Sequence, residues 1–177
     1  MKIEIATLFP EMCENVLAES IIGRARKKGA VDISCRNIRD YTKDKHRRVD
    51  DTPYGGGMGM LMAAPPIYNC HKAITSDAEE NEKIYTVYMS PRGTVLNESV
   101  AKKLSGYDRV VILCGHYEGV DQRAIDMLVD EEISIGDFVL TGGEIPACVL
   151  VDCVGRLCEG VLSEAECHEI ESFEGDL

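Results

Sequence analysis

Residues 131–144 read Glu131-Glu132-Ile133-Ser134-Ile135-Gly136-Asp137-Phe138-Val139-Leu140-Thr141-Gly142-Gly143-Glu144. Ile133 and Ile135 alternate with Ser134 as in a strand, and Gly136-Asp137 signals a turn. Phe138-Val139-Leu140 is apolar again, and Gly142-Gly143 breaks the run before a helical stretch. A strand that empties through glycines into a helix is the unit of an α/β fold. Glycines there let main-chain N–H and C=O groups approach a bound molecule with no Cβ in the way, close enough to read the edge of a purine base. The same pattern also suits an ordinary connection between a strand and a helix.

Working outward, strand and helix signals alternate. Residues 2–9 alternate as a strand, Pro10 opens a helix that runs to Lys28 with a restart at Ser20, and Gly29 stops it. Residues 31–38 form a second strand, and Pro65-Pro66 begins a helix to Thr75. Residues 84–89 form a strand, Ser90-Pro91-Arg92-Gly93 a turn, and residues 97–104 a helix. Residues 109–114, with the run VVILC, are the most apolar strand, as a central parallel strand would be. Gly115-His116-Tyr117-Glu118-Gly119-Val120 follows, and Asp121 caps the next helix. After the quoted stretch comes an apolar helix over 144–157. The expected fold is α/β, a mostly parallel sheet flanked by helices. Loops 90–93, 115–120 and 135–143 then gather at the carboxyl ends of the strands, where open α/β sheets bind ligands. Between Arg39 and Met62 periodicity is weak, so the segment reads as a working loop.

The 177 residues suit one core-bearing domain. There is no apolar run of about 18 residues to span a bilayer, and the start is an amphipathic strand, which together predict a cytoplasmic protein without membrane association. Eight cysteines form no C-x-x-C pair, which predicts buried, reduced thiols; Cys167-His168 is too small a set for a metal site. The net charge of −12 opposes nucleic-acid binding at first sight. Seven of those charges, however, are acids beyond Arg156, where no Lys or Arg occurs. Two basic clusters remain, Arg24 to Lys28 and Lys43 to Arg48, which read either as solvated surface or as phosphate contacts. Gly55-Gly56-Gly57 with Gly59 lacks P-loop spacing, excluding nucleotide triphosphate hydrolysis, and Phe9-Pro10-Glu11 after the first strand disfavours a nicotinamide-dependent oxidoreductase.

Four segments, NIRDYTKDKHRRVDDTPYGGGMGM (37–60), MSPRGTVLNE (89–98), LCGHYEGVDQR (113–123) and EISIGDFVLTGGEIPA (132–147), resemble the bacterial tRNA (guanine-N1)-methyltransferases that modify guanosine 37, beside the anticodon. The resemblance runs in order over roughly residues 1–175. It implies a SPOUT-type fold with a C-terminal deep trefoil knot, and a domain at 1–160 that binds S-adenosyl-L-methionine, with Mg2+ admitted beside it. It further implies an acidic linker segment at 161–177, with the family's C-terminal tRNA-binding domain absent, and tRNA and a second copy of the chain as partners. Residues Gly115, Ile135, Gly136, Asp137, Phe138, Val139 and Leu140 would line the cofactor, with Ser90, Pro91, Glu118, Gly142 and Gly143 nearby. Lys45, His46, Arg47, Asp51, Gly56, Gly57, Gly59 and His116 would meet tRNA, and Arg156 and Glu171 match the family's catalytic arginine and aspartate.

The residue types suit that chemistry, because N1 of guanine must lose a proton before attacking a sulfonium methyl. A carboxylate serves as base, and a guanidinium offsets the charge that builds on O6. Taken without the resemblance, Arg156 is equally a cation favoured at a helix C-terminus, and Glu171 one more acid of the tail. Two residues depart from the family pattern: glutamate stands at 171 and histidine at 116 where the family carries arginine. Little activity is expected of the chain alone. A non-catalytic S-adenosylmethionine-binding dimerisation module is the alternative.

Overall fold

The computed structural model describes residues 1–53 and 55–162. Five parallel strands form one sheet in the order β2-β1-β6-β5-β7: β1 (Lys2–Thr7), β2 (Asp32–Asn37), β5 (Ile84–Val95), β6 (Arg109–Cys114) and β7 (Glu131–Ser134). A second, two-stranded antiparallel ribbon pairs β3 (Asp50–Asp51) with β4 (Leu61–Met62). The helices are α1 (Pro10–Leu17), α2 (Ser20–Lys28), α3 (Ala64–Ile74), α4 (Glu98–Ser105), α5 (Gln122–Leu128) and α6 (Glu144–Gly155).

The side-chain period of two divides the strands between two cores. On β1, Ile3 and Ile5 face the layer of α1, α4 and α6, whereas Ala6 belongs with α3 and α5 on the other side. Every residue of β6 is buried, as befits a parallel strand covered on both faces. The helix α1 begins on Pro10, whose missing N–H is no loss in the first turn, and the chain restarts at Ser20 with φ 55°. Gly29 ends α2 in the left-handed conformation, φ 74°, that glycine adopts without steric cost. Asp121 Oδ1 accepts the N–H of Arg123 at 3.0 Å and caps α5, as the sequence predicts.

Two expectations need correction. Residues 90–93 are not a turn that ends a strand: β5 continues to Val95, and Ile133 of β7 pairs with both Met89 and Thr94, so 90–93 is an irregular excursion inside the strand. A Cβ on Gly93 would sit 2.3 Å from the carbonyl carbon of Glu132, and only glycine permits this approach to β7. Nor is 39–62 structureless. It carries a 3-10 turn (Ile38–Tyr41) and the β3–β4 ribbon, and β4 is stitched to the β6 exit by Met62 N–H to Gly119 O and Asp121 N–H to Met62 O, both 2.9 Å.

After β7, at the sheet edge, the chain turns back across the strand ends. The Gly143 N–H donates to Gly115 O at 2.9 Å, and α6 then packs against α1, α4, β1 and β6. Ala147, Leu150, Val151 and Val154 of α6 are buried, while Ile145 and Val149 stay exposed, 55% and 39%. The seven cysteines among the described residues are free thiols; Cys167 and His168 lie outside those residues.

Candidate active site

A cleft of about 580 Å³ opens at the carboxyl ends of β5, β6 and β7, a size typical of small-ligand sites. Its walls are the 88–92 stretch of β5, the β6 exit 115–120 and the turn 133–143, with Pro146 of α6 and Leu61 of the ribbon closing two corners. Ser90, Pro91, Gly115, Glu118, Ile135, Gly136, Phe138, Val139, Leu140, Gly142 and Gly143 all line it, whereas Asp137 is exposed and outside its wall.

The cleft owes its shape to missing side chains. A Cβ on Gly115 would lie 2.7 Å from the Tyr88 hydroxyl, and one on Gly143 would lie 2.8 Å from the Cα of Cys114. Gly136 has φ 147°, a conformation that side chains rarely adopt, and the Ser134 hydroxyl braces it by accepting Gly136 N–H at 3.1 Å and donating to Gly136 O at 3.0 Å. The apolar side chains here are unusually open: Phe138 is 52% exposed and Val139 82%. Such surface at a concave site suits a ligand or a partner surface more than solvent.

The polar groups fall in two layers. Arg92, His116 and Glu118 line the cleft. Beneath them the Thr7 hydroxyl donates to Glu144 Oε1 at 2.7 Å, with Thr7 0% and Glu144 3% exposed. His116 lies between two rings, Phe9 at 4.9 Å and Tyr117 at 5.1 Å between centroids, and its buried Nδ1 has no hydrogen-bond partner. Burial raises the Tyr88 phenol above its ordinary value, which keeps the hydroxyl protonated and able to donate.

The remaining candidates form a rim and an outlier. Gly59, with φ 90°, stands over Glu118, and the Glu118 N–H donates to Met60 O at 3.0 Å, so the glycine loop borders the cleft. Lys45, His46, Arg47, Asp51, Gly56 and Gly57 are exposed on the same segment. Part of its positive charge is already neutralised: Arg47 pairs with Asp40, and Arg48 with Asp44 at 2.9 Å, which holds the Asp44 carboxyl well below the usual carboxylate range. Arg156 follows α6 at the end away from the cleft; with 12 residues in that helix, the separation is roughly 18 Å. Glu171 lies outside the described residues.

This arrangement, a strand-end cleft with glycine walls and a basic, glycine-rich rim, has close relatives. The family model described as tRNA (Guanine-1)-methyltransferase TrmD matches residues 1–177. The chain belongs to this family of RNA-methylating enzymes. It is 55% identical over 163 residues to a tRNA (guanine-N(1)-)-methyltransferase of Ruminiclostridium cellulolyticum, covering 92% of this chain and 69% of that one. It is 47% identical over 177 residues to the enzyme of that name from Clostridioides difficile, covering 100% of this chain and 76% of the other. Among solved structures, the tRNA (m1G37) methyltransferase from Aquifex aeolicus superposes with a TM-score of 0.83 at 36% identity, covering 93% of this chain and 72% of that one.

Sequence reasoning missed Tyr88, Thr141 and Pro146 as cleft residues and the Thr7–Glu144 pair beneath them. Tyr88 had a usable signal, because it sits two residues before Ser90, on the same side of a strand leading into the site. Thr7 and Glu144 had none, being 137 residues apart.

Proposed function

We propose that this chain transfers a methyl group from S-adenosyl-L-methionine to N1 of guanosine 37 in tRNA, next to the anticodon. The observation that carries the reading is the cleft where loops 90–93, 115–120 and 135–143 meet, its backbone left open by Gly115, Gly142 and Gly143. Those glycines and the 135–140 run would hold the cofactor, with Ser90 and Pro91 at its side. When bound, S-adenosyl-L-methionine supplies a methyl group made electrophilic by its sulfonium. The protein's task is to strip the proton from guanine N1, stabilise the charge on O6 and align the two reactants.

For these roles we assign Glu171 as the base and Arg156 as the guanidinium, with the 45–59 segment and His116 meeting the tRNA. Arg156 lies a helix length from the cleft of its own chain. It therefore acts, on this reading, in the cleft of a second copy, and the enzyme is a homodimer. An apolar groove of about 740 Å³ between α1 and α6 supports that arrangement: Met12, Val16, Ile145 and Val149 are exposed along it, a stripe that a second copy would cover. The backward passage of the chain from β7 across the β5 and β6 ends is the kind of path a deep trefoil knot requires, and we include the knot in the proposal.

Residues 1–160 are taken as the cofactor-binding domain and 161–177 as an acidic linker. No described helix is long and apolar enough to cross a membrane, and we assign the protein to the cytoplasm. Among the described residues no cluster of His, Cys, Asp or Glu is arranged to hold a metal ion, so Mg2+ receives no site.

Calorimetric titration with S-adenosylhomocysteine and NAD, followed by single-turnover methylation of a transcript carrying G37 and one carrying A37, tests the reading. Saturable binding of the first ligand and slow, G37-dependent transfer are expected. Binding of NAD alone would overturn the cofactor assignment, and intact cofactor binding with no transfer would favour a non-catalytic dimerisation module. Sedimentation as a monomer at micromolar concentration would refute the dimer.

A further inference from the structure

Three strand exits converge beneath the cleft, and a chain of polar contacts joins that of β1 to the start of α6. The Phe9 N–H donates to Thr7 Oγ1 at 2.9 Å, and the Thr7 hydroxyl donates in turn to Glu144 Oε1 at 2.7 Å. The other carboxylate oxygen, Oε2, lies 2.4 Å from the point a Cβ on Gly142 would occupy, and His116 Nδ1 lies 2.7 Å from that same point. One side therefore offers a carboxylate oxygen of the buried Glu144, and the other a buried imidazole nitrogen without a partner. An unpaired buried polar atom is costly, so its persistence calls for an explanation. The Phe9 and Tyr117 rings hold the imidazole where Nδ1 faces Gly142.

We propose that Thr7, Glu144 and His116 form a positioning relay under the Gly142–Gly143 turn, with His116 Nδ1–H donating to Glu144 Oε2 through one bridging water. The spacing fits such a bridge, since both atoms border one small volume. The relay joins the exits of β1 and β6 to the start of α6 and fixes the height of the turn. It also sets the imidazole tautomer, leaving Nε2 bare as an acceptor. Gly142 is then glycine because a methyl group there would fill the space between the pair. Neither His116 nor Glu144 is assigned a chemical step; both act through the turn.

The effect on cofactor affinity rests on the reading of the cleft as the S-adenosylmethionine site, and the experiment separates the two. Imidazole 15N spectra of the unliganded chain, with the His116 signal identified by its loss in His116→Asn, report the tautomer directly. Protonated Nδ1 with bare Nε2 is expected, and the opposite tautomer overturns the relay whatever the cleft binds. In calorimetry with S-adenosylhomocysteine, His116→Phe keeps the ring between its neighbours but removes the donor. Glu144→Gln leaves one acceptor oxygen for two donors. Each should weaken binding about tenfold, and His116→Asn, whose side-chain amide replaces Nδ1–H, should recover most of what His116→Phe loses. If wild type binds and both variants bind equally well, the relay is refuted. If wild type does not bind, the cleft assignment fails and the tautomer alone decides the relay.

Discussion

Replacing Gly143 by alanine isolates the closest approach in the cleft. The backbone there, φ −84° and ψ −4°, is one that alanine adopts freely, so no conformational strain enters. The added methyl, however, would stand 2.8 Å from Cys114 Cα, 3.0 Å from Gly115 N and 3.1 Å from Cys114 Cβ, contacts with backbone that cannot rotate away. The turn must move outward by several tenths of an ångström, stretching the 2.9 Å bond from Gly143 N–H to Gly115 O. Overpacking costs about 1–3 kcal/mol and the weakened hydrogen bond about 1, offset by about 0.5 from the stiffer unfolded chain, which leaves a net loss of about 1.5–3.5 kcal/mol. For a chain of this size that is roughly 5–10 °C in melting temperature. Urea unfolding followed by circular dichroism, at one fixed protein concentration, gives the stability. Titration with S-adenosylhomocysteine should show affinity falling about tenfold as the turn shifts. Gly57→Ala is the control: among the described residues its methyl meets only Pro53, at 3.9 Å, and stability should hold within about 0.5 kcal/mol. A Gly143→Ala chain with wild-type midpoint and affinity would refute the claim that this approach shapes the cleft.

Arg109, fully buried at the start of β6, donates to Asp77 and Glu82 at 2.7 Å each and to Ile74 O; Arg109→Met should cost about 2–3 kcal/mol in urea unfolding, toward the lower end for a broken ion pair because Asp77 stays in water. Hydrogen bonds from Arg109 hold the Asp77 and Glu82 carboxyls below their ordinary range, and burial holds His71 below its own. In all three the folded state binds protons less readily than the unfolded chain, so stability is full at high pH and declines in two stages on acidification. The first stage begins below about 6.5 and should flatten in His71→Gln; the second begins below about 4 and should flatten in Arg109→Met. Burial raises the thiols of Cys70, pushed up to about 12, and Cys158, so neither should react with iodoacetamide at pH 8 until denaturant is added, as peptide mapping would show.

The parallel sheet was legible because its strands carry their signal locally. Ile84 to Met89 and Arg109 to Cys114 are apolar runs bounded by turns, and buried parallel strands need no more. The tail of β5 was not legible: Pro91-Arg92-Gly93 reads as a turn, and only pairing with Ile133 and Ser134 draws Thr94 and Val95 back into the sheet. The β3–β4 ribbon is too short for any periodicity and is held in place through Val49, Met62 and Gly119. At the site, the glycines and apolar residues of 135–143 could be found because close backbone approach leaves a local mark. Arg156 could be placed at the end of the helix over 144–157, but not its distance from the cleft, since that depends on which end of the helix meets the strand ends.

That helix explains why the fold and the candidate site cannot be treated apart. Its first turn carries Glu144 under the Gly142–Gly143 turn, and its inner face, Ala147, Leu150, Val151 and Val154, is buried against the sheet and its neighbours. Its outer stripe, Ile145 and Val149, lies open beside Met12 and Val16 of α1. Arg156 follows its last turn. A second copy seated on the outer stripe would cover about as much apolar surface as one helix face offers, and would be fixed to the element that sets the height of the cleft floor. Any shift at that surface would then reach the Gly142–Gly143 turn within one helical turn. Cofactor affinity and self-association should accordingly be coupled through α6, each strengthening the other by the same factor.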